Sequence, residues 1–191
     1  MNDLQFFPVR MVYDTEKDKW YKKPAIPKGV DWHEYRATNE EIEQSKNIGI
    51  VIPKGLICID VDTQKGVTTD DIEAALGCEL DWDSAEVQRT VSGGMHYFFS
   101  VPEDRVLRQG SDLLDVEGFD TRTTGKGWIA SGEGYEDLTL SGLPGALELE
   151  DFPPLPSEAI RLLDAGYVDD GEIDDLELMI AQQPLDRDWE T

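Results

Sequence analysis

Leu56-Ile57-Cys58-Ile59-Asp60-Val61-Asp62 is an apolar run that ends in two aspartates one residue apart. A short apolar run bounded by turn residues reads as a buried strand. Alternate side chains of a strand share a face, so Asp60 and Asp62 point the same way with Val61 opposite. At a rise of about 3.3 Å per residue their Cα atoms stand about 6–7 Å apart. Carboxylates at that spacing repel each other unless a cation bridges them. Hard oxygen ligands at the end of a strand suit Mg²⁺ or Mn²⁺. A strand simply running out into solvent can also end in aspartates, so the pair draws its meaning from the rest of the chain.

Working outward, Ile48–Ile52 is a second apolar run, and Pro53-Lys54-Gly55 between the two reads as the turn of a tight hairpin. Leu4–Tyr13 reads as a strand followed by a polar turn at Asp14–Asp18, and the prolines of Lys23–Gly29 keep that stretch extended. Thr38-Asn39-Glu40-Glu41 predicts a helix start with a capping box, the helix ending near Lys46-Asn47. Thr69-Asp70-Asp71-Ile72 opens a second helix that Gly77 closes. Val87–Val91 and Met95–Val101 form a strand pair around Ser92-Gly93-Gly94, and Leu113–Val116, Phe119–Arg122 and Trp128–Ala130 read as further short strands. After Leu149 the composition changes. Asp151-Phe152-Pro153-Pro154-Leu155-Pro156 reads as a rigid linker, Ser157–Ala165 as a capped helix, and 169–191 as an acidic stretch with helix at 172–182. The expected organisation is an α+β domain over residues 1–150, mostly antiparallel sheet with short helices, followed by a linker and acidic tail over 151–191.

The 191 residues are 39% hydrophobic and 9% aromatic, enough for a core and against wholesale disorder. No run of 18 apolar residues and no basic, apolar leader is present, so neither a spanning helix nor a secretory signal is expected and a cytoplasmic setting is. Two cysteines, Cys58 and Cys78, supply neither a disulfide framework nor a zinc site. The net charge of −24 is uneven: residues 133–191 hold 17 acidic and 2 basic residues, whereas residues 1–65 hold 11 and 10. Nucleic-acid affinity comes largely from Lys and Arg on phosphates, so composition argues against strong binding by this chain alone. The basic residues are pooled at the front, where Lys17, Lys19, Lys22, Lys23 and Lys28 interleave with Trp20, Tyr21 and Trp32. That stretch is either a solvated hairpin or an edge that tracks phosphates and stacks bases.

Two further segments carry chemistry. In Thr90-Val91-Ser92-Gly93-Gly94-Met95-His96, a glycine pair lets a backbone approach an anion closely just before a histidine on a strand. In Phe119-Asp120-Thr121-Arg122-Thr123-Thr124-Gly125-Lys126-Gly127, Asp120 could complete a metal site. Arg122 shares its face and could grip a phosphate, and Lys126 sits on a glycine turn. Asp112 and Asp115 compete with Asp120 for the third carboxylate. Each segment alone is unremarkable.

In combination they resemble the prim-pol family, the bifunctional DNA primase/polymerase domains of the archaeo-eukaryotic primase superfamily. Ile59-Asp60-Val61-Asp62 looks like the family's first motif, Gly94-Met95-His96 like its second and Phe119-Asp120 like its third. Upstream, Lys23-Pro24-Ala25, Gly29-Val30-Asp31-Trp32 and Asn47-Ile48-Gly49 look like its entry segments, and the resemblance covers about residues 6–135. The chain departs from many relatives in carrying Gly94 where they have serine. The resemblance implies an RRM-like catalytic core and template-directed nucleotidyl transfer from nucleoside triphosphates onto a primer on single-stranded DNA. It further implies two Mg²⁺ or Mn²⁺ ions on Asp60, Asp62 and Asp120. The triphosphate would be bound by His96, Ser92, Gly93, Gly94, Arg122 and Lys126. Such domains often precede a helicase in phage and plasmid replication proteins, which would make the acidic tail a connector. The alternatives are an acidic protein that mimics DNA and a catalytically inactive relative that only binds nucleotide.

Overall fold

Strands β3 (Asn47–Val51) and β4 (Leu56–Val61) follow each other closely but belong to different sheets. The hairpin expected there does not form. Both edges of β3 are taken, by β1 (Phe6–Asp14) and β8 (Trp128–Gly132). Both edges of β4 are taken by β6 (Met95–Ser100) and β7 (Phe119–Thr123). Pro53 has no N–H with which to extend a ladder. The chain therefore steps across, Ile52 N–H bonding Gly127 O and Leu56 N–H bonding Pro53 O.

The computed structural model describes residues 4–16, 19–124, 127–137 and 149–166; the helix expected at 172–182 lies outside them. With β2 (Lys19–Pro24), β5 (Glu86–Arg89) and β9 (Glu136–Asp137), the strands make a four-stranded sheet, β2-β1-β3-β8, and a five-stranded one, β7-β4-β6-β5-β9. Every strand pair is antiparallel, and the fold is α+β. In the larger sheet β4, helix α2 (Thr69–Leu76), β5, β6 and β7 adopt the spatial order β7-β4-β6-β5, the split β-α-β arrangement of an RRM-like core.

Side-chain parity assigns the layers. Leu56 and Cys58 of β4 and Phe98 of β6 meet Ile48, Ile50 and Ile129 between the two sheets. Ile57, Ile59 and Phe99 face the other way, under Ile72 and Leu76 of α2. Helix α2 forms where expected, Thr68 and Asp71 making a reciprocal capping box and Gly77 ending it in the left-handed region. Helix α1 (Asn39–Gln44) is capped the same way by Thr38 and Glu41.

Two other expectations change. Leu113–Val116 is no strand but a 3₁₀ turn at Leu113–Asp115, with Asp112, Leu114 and Asp115 in the left-handed region. The turn brings the Asp112 carboxylate onto Gly118 N–H at 2.7 Å. The stretch read as a linker packs onto the body: Ser100 N–H bonds Pro153 O, Leu155 N–H bonds Ser100 O, and Phe152 and Leu155 are buried. Helix α3 (Ser157–Leu163) then buries Ala159 and Leu163 against Ile57 and Ile59, although its N-cap position, Pro156, makes no side-chain cap. Among the described residues, no helix is long and apolar enough to cross a membrane.

The layer outside the smaller sheet is set by Phe7, wholly buried beside Trp32 and Trp128 at ring-centroid distances of 5.7 and 5.1 Å. Gly49 lies directly against that ring, and a Cβ there would overlap it. Gly49→Ala is expected to cost about 1–3 kcal/mol, the usual penalty of overpacking. Phe7→Leu in the same chain should recover part of that loss in a double-mutant cycle read by chemical denaturation.

Candidate active site

Along the face of the larger sheet that looks toward the smaller one, four side chains stand in cross-strand register. Asp120 of β7 pairs with Asp60 of β4, Asp60 with His96 of β6, and His96 with Gln88 of β5. Directly paired residues project on the same face, so the register alone aligns them. The apolar layer of Leu56, Cys58 and Phe98 occupies the same face further along, and the row replaces it near the strand ends.

Two carboxylates thus sit side by side, with Asp60 and Asp120 side chains 18% and 17% exposed. Arg122, one register step along β7 opposite Cys58, answers them: its Nη2 donates to Asp60 Oδ2 at 3.2 Å and to Asp120 Oδ2 at 3.1 Å. Asp120 also accepts from Ser111 Oγ at 2.8 Å and from Asp112 N–H at 3.0 Å. His96 is 1% exposed, with Nδ1 2.9 Å from Gln88 Oε1 and Nε2 3.6 Å from Asp60 Oδ2. Burial pushes the Asp60 pKa up, but His96, Arg122 and Lys22 together outweigh it and hold the carboxyl below its usual range.

Across the cleft stand groups the sequence did not mark for this site. Lys22 of β2 keeps part of its side chain open to solvent. The protein around it nonetheless lowers its ammonium pKa, burial being the larger cause, while Asp60 pulls the other way. Its Nζ lies 5.8 Å from the centre of the Tyr135 ring. Burial, then the charge of Asp60, push the Tyr135 phenol up to about 12. Lys22 was visible only as one of several basic residues near the N-terminus. Tyr135, Ser111 and Gln88 carried no signal, because their roles come from strand pairing and loop closure.

Asp62 lies one residue beyond β4, where its N–H bonds Gly118 O at 2.9 Å and it precedes the 3₁₀ turn Thr63–Lys65. It shares an acidic neighbourhood with Asp120 through Lys65, whose ammonium is salt-bridged to Asp112 at 2.9 Å and raised in pKa, chiefly by that bond, with Asp120 and Asp62 adding to it. Asp112 is thereby committed to Lys65 and Gly118, and Asp115 is exposed. The Ser92–Gly94 turn packs beside Val61 and Asp62. Thr63 Oγ1 donates to Gly93 O at 3.0 Å, and Gln64 Nε2 donates to Ser92 O. Gly93 N–H closes the turn on Thr90 O at 2.9 Å, so that amide is spent within the turn. A Cβ at Gly94 would stand 3.0 Å from Val61 O, tighter than ordinary contact, so glycine suits the position. Lys126 lies outside the described residues.

Among the described residues, no three His, Cys, Asp or Glu side chains are grouped to hold one ion by themselves. The donor chemistry nevertheless fits magnesium or manganese. Mg²⁺ is ordinarily held by one or two carboxylates together with waters and substrate phosphates rather than by an all-protein cage. Asp60 and Asp120 supply that pair, and one guanidinium nitrogen already bridges them as a cation. A depression lies elsewhere, beside α3, lined by Pro102, Arg105, Ile160 and Arg161.

No curated protein matches the chain. The family model described as the N-terminal domain of bifunctional DNA primase/polymerases matches residues 5–151, well over half of the chain and the whole of the row from Asp60 to Asp120. With that match over the fold and site just described, the chain belongs to the bifunctional DNA primase/polymerase family.

Proposed function

We propose that this chain catalyses template-directed nucleotidyl transfer, making or extending a primer from nucleoside triphosphates on single-stranded DNA. The observation that carries this reading is the direct pairing of Asp60 with Asp120, bridged by Arg122, on the face of the larger sheet that looks toward the smaller one. Asp60 and Asp120, with Asp62 at the strand end, would hold Mg²⁺ or Mn²⁺. Such ions, when bound, activate the attacking hydroxyl and stabilise the departing pyrophosphate.

The chain's own groups do the rest. Arg122 is long enough to leave the carboxylates and grip a phosphate, since its planar fork matches phosphate as well as carboxylate. Lys22 adds a cation from the opposite wall. Ser92 and Gly94 offer backbone beside Asp62, and Lys126, between β7 and β8 in the sequence, is a further candidate for the phosphates. His96 meets the cleft only through its Nε2 edge, close to Asp60. Tyr135 and Lys22 bound the side on which a sugar or base would rest.

Purified protein with Mg²⁺ or Mn²⁺ is expected to extend a labelled primer on a single-stranded template. Asp60→Asn and Asp120→Asn should each lower the rate by about a thousandfold or more, since charge stabilisation at the reacting phosphate is the main catalytic contribution. Both variants should keep the wild-type circular dichroism. Wild-type rates in both would reject the site.

The concentration of acidic residues after Glu133 supports the competing reading of a DNA mimic. A chain ending at Gly166 decides between them. The polymerase reading expects its primer extension to match the full chain, whereas a mimic would lose capture of a basic partner and show no extension in either form.

A further inference from the structure

The row of polar side chains continues past His96 to Gln88, which is 0% exposed. Leaving a primary amide dry is costly unless it is hydrogen-bonded. The Gln88 amide oxygen lies 2.9 Å from His96 Nδ1, and His96 is itself 1% exposed. The other ring nitrogen, Nε2, stands 3.6 Å from Asp60 Oδ2, longer than a hydrogen bond but within electrostatic reach.

An amide oxygen only accepts, so in this contact Nδ1 carries the proton and donates to Gln88 Oε1. Edge-on contact with Phe98, at 6.4 Å between ring centroids, closes another side of the imidazole.

We propose that Gln88 is a positioning residue, locking the His96 ring so that its Nε2 edge faces Asp60 and thereby fixing the direction in which Asp60 presents its carboxylate. The catalytic consequence rests on the nucleotidyl-transfer reading; the hydrogen bond does not. Gln88 belongs to none of the three motifs that mark the site in the sequence. It enters through the register of β5 on β6.

The chain has two histidines, so the imidazole region of a long-range ¹H–¹⁵N spectrum holds two ring systems, and His33→Gln assigns them. Gln88→Met removes the amide at nearly constant volume, and Gln88→Glu keeps an acceptor for Nδ1–H. In Gln88→Met the His96 ring nitrogens are expected to shift while those of His33 stay put. Its kcat for primer extension should fall about 10-fold, the low end of the loss seen when the partner of a metal-site ligand is removed, because Gln88 reaches Asp60 only through His96. The nucleotide KM should stay near the wild-type value. Gln88→Glu should retain the bonded His96 signature and recover most of kcat.

Unmoved His96 resonances in Gln88→Met, or a change in KM alone, would overturn the proposal. If Gln88→Met does not fold, Gln88→Glu decides: a bonded His96 with kcat near wild type supports it, and a bonded His96 with kcat lost overturns it. A wild-type chain without extension activity would count against the enzyme reading, while the His96 spectra would still test the contact.

Discussion

Two like charges held side by side are the constraint around which the sheet is built. At a separation of about 5 Å and an effective dielectric of about 20, two carboxylates repel by roughly 3 kcal/mol, a large share of a domain's net stability. The arrangement persists only with positive charge at hand. Arg122 provides it from the same strand as Asp120, its guanidinium touching both acids. Ser111 and the Asp112 amide take up further lone pairs of Asp120. All of this depends on the pairing of β4 with β7. A slip of one residue would turn Asp120 to the α2 side of the sheet and leave Asp60 facing a neighbour of opposite parity.

The same constraint explains how a chain with a net charge of −24 can present a surface to a polyanion. What matters is the local field rather than the total. Of the basic residues, Arg122, Lys22 and Lys65 are drawn to the carboxylates, from β7, from β2 in the other sheet and from the turn after β4. The cleft is therefore a place where negative charge is already answered, and a dication there would tilt the balance toward phosphate. The lowered pKa of Asp60 belongs to this balance: its charged form is favoured by cationic neighbours despite the desolvation that opposes it.

How much of this could be read in advance follows from how local each feature is. The helices at Thr69–Leu76 and Asn39–Gln44 were legible because their caps span four residues and are self-contained. Asp60, His96 and Asp120 were legible as types in order. Their convergence was not, since it comes from pairings between strands tens of residues apart. The supposed hairpin at Pro53-Lys54-Gly55 failed for the same reason: two adjacent apolar runs look alike whether they pair with each other or with distant partners. Leu113–Val116 looked like a strand by composition, yet the backbone turns there to carry Ser111 and Asp112 to Asp120. Gln88 gave no signal at all, because a glutamine on a short strand becomes meaningful only when its neighbour proves to be His96.

The last element of the body bears on the site from behind. An RRM-like sheet needs helices over one whole face, but the connection between β6 and β7 contains a 3₁₀ turn and no α-helix. Helix α3 covers the gap, burying Ala159 and Leu163 on the side of β4 that carries Ile57 and Ile59. Those residues alternate along β4 with Cys58 and Asp60, so the packing that holds their side chains also holds the strand that offers Asp60 to the cleft. The proline-rich segment before α3 is part of this clamp. Its prolines fix an extended path that seats Phe152 between the sheets and Leu155 under α3, with Ser100 at the end of β6 bonded on either side. The family match ends at residue 151, but the apolar layer behind the carboxylates does not. A catalytic core defined by motifs alone would leave out the helix that keeps its central strand rigid.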